Sequence, residues 1–386
     1  MKISQVYEFV NTATSEALGS TGLVQEDLSN IVDIGDQIDN ARAYDKYVGS
    51  LVNHIGRVIF VNRVYRGNVP SVLMDGWEYG SICEKIQADI PQASENETWE
   101  LEDGQSYDPN IFYKPSVSAK FFNKRVTFEI DQSFTEKQVK MSFSGPEQLN
   151  GFISMLYNAV EKSMTVKLDE LVMRTINNMI GETIHADYGS NSLSASSGVK
   201  AVNLLYLYNQ QYGTSLTAAN AITEPKFIRF ASYKIKQYMK RLTKLSTLFN
   251  IGGKERFTDA EVLHVVAHAD FDSAAEVYLY DGEGQFRVDG VRLPRAETVP
   301  YWQGSGTSYA FGDCTKVNIT TTSGDTVNTS GILCVLFDRD ALGVTNLDKR
   351  VTTHYNAKAE FYNNFYKFEA GYFNDFNENF VVFFVA

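Results

Sequence analysis

PEQLNGFISMLYNAVEKSMTVKLDELVMRTINNMIG, residues 146–181, carries the clearest helical pattern in the chain. Apolar residues recur along it every three or four positions, from Leu149 to Ile176, and this spacing predicts one continuous helix. Ser144, with Glu147 three residues later, predicts a capping box at its start, and Gly181 predicts its end. At about 1.5 Å per residue such a helix is roughly 50 Å long. A helix of this length is a spine against which other elements pack.

Two further helices are predicted upstream of this spine helix. Residues 3–18 have apolar positions on one side, and a stronger apolar stripe runs from Tyr44 to Ile59. The polar stretch between them, SNIVDIGDQIDN, is expected to form an irregular arm.

Residues 85–145 change to alternating patterns that are typical of strands. KIQADI and SAKFFNKRVTFEI flank a polar, acidic segment, ASENETWELEDGQSYDPN. The pattern predicts a long two-stranded hairpin with an acidic tip region. An isolated hairpin is marginally stable in water, so we expect this one to rest against another element or another chain. The acidic residues singled out as contact candidates are Glu95, Glu97, Glu100, Glu102 and Asp103.

A second domain is predicted after the Ser- and Gly-rich stretch DYGSNSLSASSGVK. Helices are expected around AVNLLYLYNQQYG and from Pro225 onward, followed by an alternating strand, EVLHVVAH, and a buried strand in GILCVLFDRDALGV. The chain has 25 Phe, 22 Tyr and 3 Trp, and its C-terminal part is notably aromatic. Large flat side chains are favoured both in cores and in protein interfaces.

The charge distribution argues against a protein whose main task is to coat nucleic acid. The net charge is −12, and the one basic concentration lies on the helix predicted over 225–248. This helix is a candidate contact for nucleic acid or for an acidic neighbour, with a solvated helix face as the alternative. We hypothesise that the acidic segment of one chain docks on the basic helix of another. The basic contact candidates are Lys236, Lys240, Arg241 and Lys244.

No catalytic, cofactor or metal-binding residue is predicted. His264 and His268 lie four apart near two aspartates, but on a strand that spacing is about 13 Å, too far to share one zinc ion. The glycine-rich pieces match no phosphate-binding motif, and no GxSxG elbow occurs. Three scattered cysteines favour a reducing compartment, and neither an export signal nor a membrane-spanning stretch is evident, which predicts a cytoplasmic product.

The order of these elements resembles the major capsid proteins of tailed bacteriophages with the HK97-type fold, an α+β class. The resemblance covers nearly the whole chain and rests on element order, since the family has no short diagnostic motif. The passages most alike are SNIVDIGDQIDNARAYDKYVGSLVNHIGRVIFVNRVYRG, ISMLYNAVEKSMTVKLDELVMRTINNMI, KQYMKRLTKLSTLFN and DRDALGVTNLDKRVTTHYNAKAEFYNNFYKFEAGYFNDFNENFVVFFVA.

The resemblance implies a division of the chain into five parts. It assigns 1–74 to the N-arm with the helix and strand that follow, 75–143 to the E-loop, and 144–186 to the spine helix of the peripheral domain. It assigns 187–343 to the axial domain and 344–386 to the C-terminal strands of the peripheral domain. Family members carry their E-loop across a neighbouring subunit.

The resemblance also implies function and partners. The chain is expected to self-assemble as pentamers and hexamers of an icosahedral shell around double-stranded DNA, which it contacts only loosely. Family members often carry a cleaved scaffolding segment before the N-arm, and here the arm-like sequence begins near Met1. The resemblance therefore implies either a mature, processed chain or a separate scaffolding protein, and the initiating Met favours the second. A portal protein and decoration proteins are the other expected partners. Assembly is expected in the host bacterial cytoplasm, with no membrane contact and no enzymatic activity. Two alternatives stay open here: an encapsulin-type cargo compartment, and a soluble enzyme or ligand-binding protein using 187–343.

Overall fold

The structure is a computed structural model. It describes residues 3–19, 24–61, 69–74, 83–88, 103–104, 110–114, 117–189, 191–278, 296–304 and 308–386. The chain forms two compact units, each described by itself below. Unit 1 comprises Met1–Gly76, Arg125–Thr175 and Gly343–Gly371, and unit 2 comprises Trp77–Lys124, Ile176–Leu342 and Tyr372–Ala386.

The helices are distributed along the described part of the chain. They are α1 (Ile3–Leu18), α2 (Ile31–Asn40), α3 (Tyr44–Val61), α4 (Glu136–Ser142), α5 (Pro146–Tyr188), α6 (Leu204–Tyr212), α7 (Ala218–Ala221), α8 (Pro225–Leu242), α9 (Ala269–Tyr278) and α10 (Phe311–Cys314), with a 3-10 turn at Pro70–Val72.

The strands are most frequent in the second half of the described chain, although the first four lie in the first half. They are β1 (Leu73–Met74), β2 (Cys83–Ala88), β3 (Val117–Phe122), β4 (Arg125–Thr135), β5 (Ala201–Asn203), β6 (Leu263–His268), β7 (Ala296–Val299), β8 (Val317–Thr320), β9 (Thr326–Thr329), β10 (Ile332–Asp338), β11 (Leu342–Asn356), β12 (Phe361–Asn374) and β13 (Phe380–Phe384).

Unit 1 contains a four-stranded sheet in the order β1-β11-β12-β4. β4 and β12 are antiparallel and pair along the whole length of β4. Phe134 of β4 packs edge-on against Phe152 of α5, with their ring centroids 5.3 Å apart. The phenol of Tyr362 donates to the carboxylate of Asp45 on α3 at 2.9 Å, which ties the sheet to the N-terminal helices.

Unit 2 contains a five-stranded mixed sheet in the order β5-β13-β10-β6-β7. Every residue of β10 and β13 is buried, as expected for central strands covered on both faces. Helices α6, α8 and α9 contribute Tyr208, Phe227 and Phe271 to the same apolar core. Pro225 occupies the first turn of α8, where a missing N–H costs nothing, and Glu224 accepts from the Lys226 N–H as a cap.

The spine helix is confirmed, but the prediction that it ends at Gly181 is wrong. α5 is helical through Tyr188, and its chain leaves the helix at Gly189, which has φ +56° and donates to the His185 carbonyl at 2.8 Å. Gly181 instead lets β8 approach the helix, because a Cβ there would lie 3.0 Å from the Cβ of Ile319. The Ser144 hydroxyl donates to the Met141 carbonyl at the end of α4.

Two other local predictions are corrected. The stretch predicted as an irregular arm contains α2, whose Ile31, Ile34 and Ile38 are all buried at helical spacing. SAKFFNKRVTFEI, predicted as one strand of a hairpin, divides after Phe122 into β3 and β4, which belong to different sheets. The helices predicted at 3–18 and from Pro225, and the strand in EVLHVVAH, are confirmed.

Candidate functional site

The β2–β3 hairpin of unit 2 has two chemically different faces. The strands are antiparallel, and Lys85 stands opposite Lys120 while Ile86 stands opposite Ala119. Because side chains alternate along a strand, the two lysines share one face, and Ile86, Val117 and Phe121 share the other. The second set is 66%, 57% and 64% exposed. We call it the outer face of the hairpin, and it is an apolar surface in contact with water.

The inner face of the hairpin is fixed by an ion cluster. Lys85 Nζ lies 3.0 Å from Asp375 Oδ2 and 2.7 Å from Glu378 Oε1, while Lys120 Nζ lies 2.8 Å from Asp375 Oδ1. Arg256 Nε adds a third cation, 3.5 Å from Glu378 Oε1. Both strands of the hairpin are therefore bound to the short connection between β12 and β13.

The electrostatics of this cluster favour the charged forms. Burial by itself would raise the pKa of Asp375, but the hydrogen bond from Lys120 and the charge of Lys85 outweigh burial, so its pKa is lowered. Burial would likewise lower the pKa of Lys85, but the hydrogen bond to Glu378 and the charge of Asp375 raise it. The cluster thus pairs three cations with two carboxylates, and the carboxylate of Asp375 is fully buried between its partners.

A second apolar feature lies near the far end of the hairpin, at residues 110–114. Phe112 and Tyr113 are 83% and 81% exposed, and Ile111 is also exposed. Lys114 follows them and is exposed as well. Monomeric proteins rarely expose three consecutive large apolar side chains to water. Such a cluster therefore indicates an interaction surface.

A cleft of about 490 Å³ opens at the base of the same hairpin. It is bounded by the end of β3, the β8–β9 hairpin, helix α5 and the end of β12. Among its lining residues, Phe373 is buried, Phe122 and Ile319 are half-buried and Thr320 is exposed. Glu182 of α5 also lines the cleft and accepts from the Thr322 N–H.

The sequence that carries these apolar surfaces matches a known family of phage proteins. The family model of the Phi29-like phage major capsid proteins matches residues 10–384. The chain belongs to this family of capsid proteins. It is a structural protein of the phage head and part of the virion capsid, and its family assembles into a capsid shell. Of the three functions considered from the sequence, the phage capsid protein is the one confirmed.

Solved structures are similar to this capsid protein in fold. A chain in the structure of the head fiber and inner core protein gp22 of native bacteriophage P68 is 8% identical, with a TM-score of 0.50, and the match covers 84% of this chain and 86% of that chain. A chain in the capsid structure of Staphylococcus phage Andhra is 9% identical, with a TM-score of 0.48 and the same two coverages. No curated protein matches the sequence. The predicted HK97-type α+β fold is confirmed.

The basic contact candidates of the capsid protein lie together. Lys236, Lys240 and Arg241 are on the last two turns of α8, and Lys244 follows the helix end. Burial, and then the charge of Lys240, lower the pKa of Lys236, whereas Lys240, Arg241 and Lys244 are exposed. These residues form a cationic end of α8 that is open to solvent.

The acidic contact candidates are largely outside the described residues. Glu95, Glu97, Glu100 and Glu102 fall there, and Asp103 is an exposed turn residue. Their proposed contact with the cationic end of α8 therefore stays a prediction.

The two histidines considered as metal ligands, His264 and His268, lie on strand β6, as predicted. His264 stacks on Phe337 at 5.6 Å, and His268 is fully buried beside Phe311. Over the described ranges, no group of three or more His, Cys, Asp or Glu side chains is placed to hold a metal ion. None of the described helices is long and apolar enough to cross a bilayer.

Asp375 and Glu378 are the functional residues that sequence reasoning missed. They occur in NDFNENF, a polar interruption between two aromatic strands, and such an interruption predicts a loop with solvated carboxylates. Their lysine partners lie about 250 or more residues away in sequence, so no local pattern connects them. The one available signal in the sequence was that these polar residues interrupt a region that is otherwise aromatic.

Proposed function

We propose that this capsid protein builds pentamers and hexamers of an icosahedral shell around double-stranded DNA, with the β2–β3 hairpin lying on a neighbouring subunit. The observation that carries the proposal is the two-faced hairpin. Its inner face is bound by charges to its own unit, while Ile86, Val117 and Phe121 face water. Covering a large apolar side chain is worth about 1.5–3 kcal/mol, so a second copy that covers this face gains several kcal/mol per contact.

The proposed role is structural, without enzymatic activity, and the shell forms in the host bacterial cytoplasm. Its proposed partners are a separate scaffolding protein, a portal protein and decoration proteins. The net charge of −12 supports loose contact with the packaged DNA, because a polyanion is repelled by the chain as a whole.

A charge contact between subunits is the second part of the proposal. The acidic segment that contains Glu95, Glu97, Glu100, Glu102 and Asp103 docks on the cationic end of α8 in an adjacent subunit. Opposite charges of this kind fix register and orientation more than they add affinity. The exposure of Lys240, Arg241 and Lys244 supports this role, since they are accessible to a partner.

Assembly of the purified protein tests the shell function. The protein is examined by size exclusion and electron microscopy, alone and together with a candidate scaffolding protein. Closed shells of uniform diameter are expected in at least one condition. A chain that stays strictly monomeric under every assembly condition contradicts the proposal.

A further inference from the structure

Helices α6 and α8 of unit 2 line a cavity of about 560 Å³. Its buried part is aromatic, because the rings of Tyr208 and Phe230 are buried there with their centroids 5.5 Å apart. Tyr212 of α6 and Tyr233 of α8 also line it and are 56% and 59% exposed. Cavities of this volume, lined by aromatic side chains with a few polar groups, are the usual ligand sites of proteins. We call this cavity the α6–α8 groove.

The α6–α8 groove is cationic. Lys226 and Arg229 line it and are exposed, and their spacing of three residues puts them on one face of α8. Lys234 adds a charge nearby, with its Nζ 5.5 Å from the ring centroid of Phe230. Among the described residues that line the groove, none is acidic. The adjacent carboxylate, Glu224, accepts from the backbone N–H of Lys226 as the cap of α8.

The combination of rings and cations defines the chemistry of a ligand. Tyr212 and Tyr233 offer flat apolar surface that is exposed to water and fits an aromatic or aliphatic group. Lys226 and Arg229 offer N–H donors to carboxylates, and a guanidinium binds a carboxylate through two parallel hydrogen bonds. Clusters of basic side chains recognise acidic peptides in this way. The groove therefore fits a peptide in which an apolar side chain is flanked by carboxylates.

Nucleic acid fits these properties less well. In duplex DNA the bases are stacked inside the double helix, and no group of the size of a side chain projects to fill the groove. A single strand has bases that stack on aromatic rings, but it is a long polyanion, which the net charge of −12 repels. A short acidic peptide carries few charges, and the cations at the groove are enough to pair with them.

We propose that the α6–α8 groove binds an acidic peptide segment of a separate partner protein. One aromatic or aliphatic side chain of the peptide packs against Tyr212 and Tyr233, and its flanking carboxylates bind Lys226 and Arg229. The inference rests on the proposed function in one respect, because a shell subunit has to meet proteins other than itself.

The α6–α8 groove is separate from the cationic end of α8. Fourteen residues lie between the positions of Lys226 and Lys240, which is about 21 Å along the helix. A side chain bound at one of these two places therefore does not fill the other. The contact between subunits proposed for the cationic end leaves the groove available to a different protein.

Fluorescence anisotropy of a labelled synthetic peptide tests the groove. The peptide has a single phenylalanine flanked by glutamates, and it is titrated with the unassembled protein. Binding is expected at low salt and should weaken as salt is added, because the charges are at the surface. Replacing the phenylalanine by alanine should weaken binding about tenfold or more. A peptide with lysines in place of the glutamates should not bind.

A charge variant locates the binding. Lys226→Gln combined with Arg229→Gln should weaken binding of the peptide about tenfold or more. Lys316→Gln combined with Arg339→Gln is the matched control, since one exposed lysine and one exposed arginine of unit 2 are lost outside the groove. The control should bind the peptide as wild type does. Equal weakening in the two variants overturns the site, because net charge alone would then explain the binding.

A ring variant gives a second measurement. Tyr233→Ala removes a ring that is more than half exposed, so the fold is retained, and should weaken peptide binding about tenfold. Tyr309→Ala is its control, because Tyr309 is 75% exposed and does not line the groove; it should leave peptide binding unchanged. Unchanged binding in both variants contradicts the proposed apolar contact.

Assembled shells and a single-stranded oligonucleotide decide the identity of the partner. The peptide should bind shells as tightly as it binds the free subunit, because the groove must stay open to a separate protein. Loss of peptide binding on assembly would show that a neighbouring subunit covers the groove, and tighter binding of the oligonucleotide at the same residues would assign it to nucleic acid. Either result overturns the inference and leaves the shell function intact. A chain that forms no shell contradicts the proposed function, while the measurements on the free subunit still decide whether the groove binds the peptide.

Discussion

Lys120 of β3 binds the carboxylate of Asp375 at 2.8 Å, and that carboxylate has no exposed surface. Lys85, directly opposite Lys120 on β2, binds the other oxygen of the same carboxylate at 3.0 Å. Two like charges facing each other across a strand pair destabilise a hairpin. The buried carboxylate between them converts that repulsion into the attachment of the hairpin to unit 2.

Asp375→Asn should weaken the attachment of the hairpin to unit 2, leaving, of the ion pairs described, only the one between Lys85 and Glu378. The change leaves two lysines facing each other without their shared counter-ion, and losing one partner of a buried ion pair costs about 3–5 kcal/mol. Both lysines are partly exposed, so solvent screening reduces the loss to about 2–3 kcal/mol. Hydrogen exchange should show faster exchange of the β2 and β3 amides.

An exposed ion pair is the control for this change. Lys367→Met breaks the pair with Glu129, in which both side chains are more than a third exposed, and should cost less than about 1 kcal/mol. Equal losses in the two variants would show that Asp375 is no more than a surface charge.

His268 should make unit 2 less stable at acid pH. Burial lowers the pKa of His268 below its usual 6.5, against the opposing effect of Asp270. Between the lowered pKa of the folded protein and pH 6.5, the unfolded chain binds more protons than the folded one. The free energy of unfolding is therefore unaffected by His268 above pH 6.5, and it decreases as the pH falls toward the folded pKa. Each unit of pKa difference corresponds to about 1.4 kcal/mol.

Thermal unfolding between pH 7.5 and 5 measures this effect. The wild-type midpoint should fall over that range, and His268→Gln, which carries no titrating group, should fall less. Parallel pH profiles for the two proteins would assign the acid sensitivity to other groups.

Gly331→Ala should be strongly destabilising. Gly331 has φ +81°, and a Cβ there would lie 2.2 Å from the carbonyl oxygen of Val385, a backbone atom that cannot move aside. Strain and overpacking together give an expected loss of about 3 kcal/mol or more. Gly324→Ala separates the two causes, because Gly324 has φ +94° but open space around it, and should cost about 1–2 kcal/mol in denaturant unfolding. Similar losses in both would mean that backbone conformation alone is responsible.

Neutralising the acidic segment should weaken assembly. Changing Glu95, Glu97, Glu100 and Glu102 to Gln removes the charges proposed to meet the cationic end of α8. The effect should be greatest at low salt, because screening lengths rise from about 10 Å at 0.1 M to about 30 Å at 0.01 M. Light scattering during assembly measures it.

A control is needed because the same change also makes the net charge less negative than −12. A smaller net charge by itself favours association, since the chains repel each other less. Four exposed carboxylates elsewhere, at Glu26, Asp36, Glu147 and Asp259, are neutralised for comparison. That variant should assemble as well as wild type or better. If both variants respond alike, the segment acts only through net charge.

The sequence was sufficient for elements whose signal is local. The spacing from Leu149 to Ile176 predicts the spine helix, and alternation predicts β6. The end of the spine helix was not predictable from propensity, because Gly181 is helical for a tertiary reason, its close approach to Ile319. α2 was missed because its three isoleucines are separated by acidic and polar residues that suggest a loop.

The site was harder to predict than the fold. No local sequence pattern distinguishes Lys85, Lys120 or Asp375. Only the folded chain places these three residues together. The aromatic excess was visible in composition, yet composition does not say which rings are buried. In the structure, Tyr362, Tyr366 and Phe383 are core residues, whereas Phe112 and Tyr113 are exposed.

The pairing register of β2 and β3 has a consequence for the fidelity of assembly. A slip by one residue moves every side chain of a strand to its opposite face. A slipped hairpin would separate Lys85 from Lys120, lose an ion pair with Asp375 and turn part of its apolar face inward. The ion cluster therefore favours one strand pairing of the β2–β3 hairpin. A subunit with the wrong pairing has neither a firmly attached hairpin nor a continuous apolar face for its neighbour to cover.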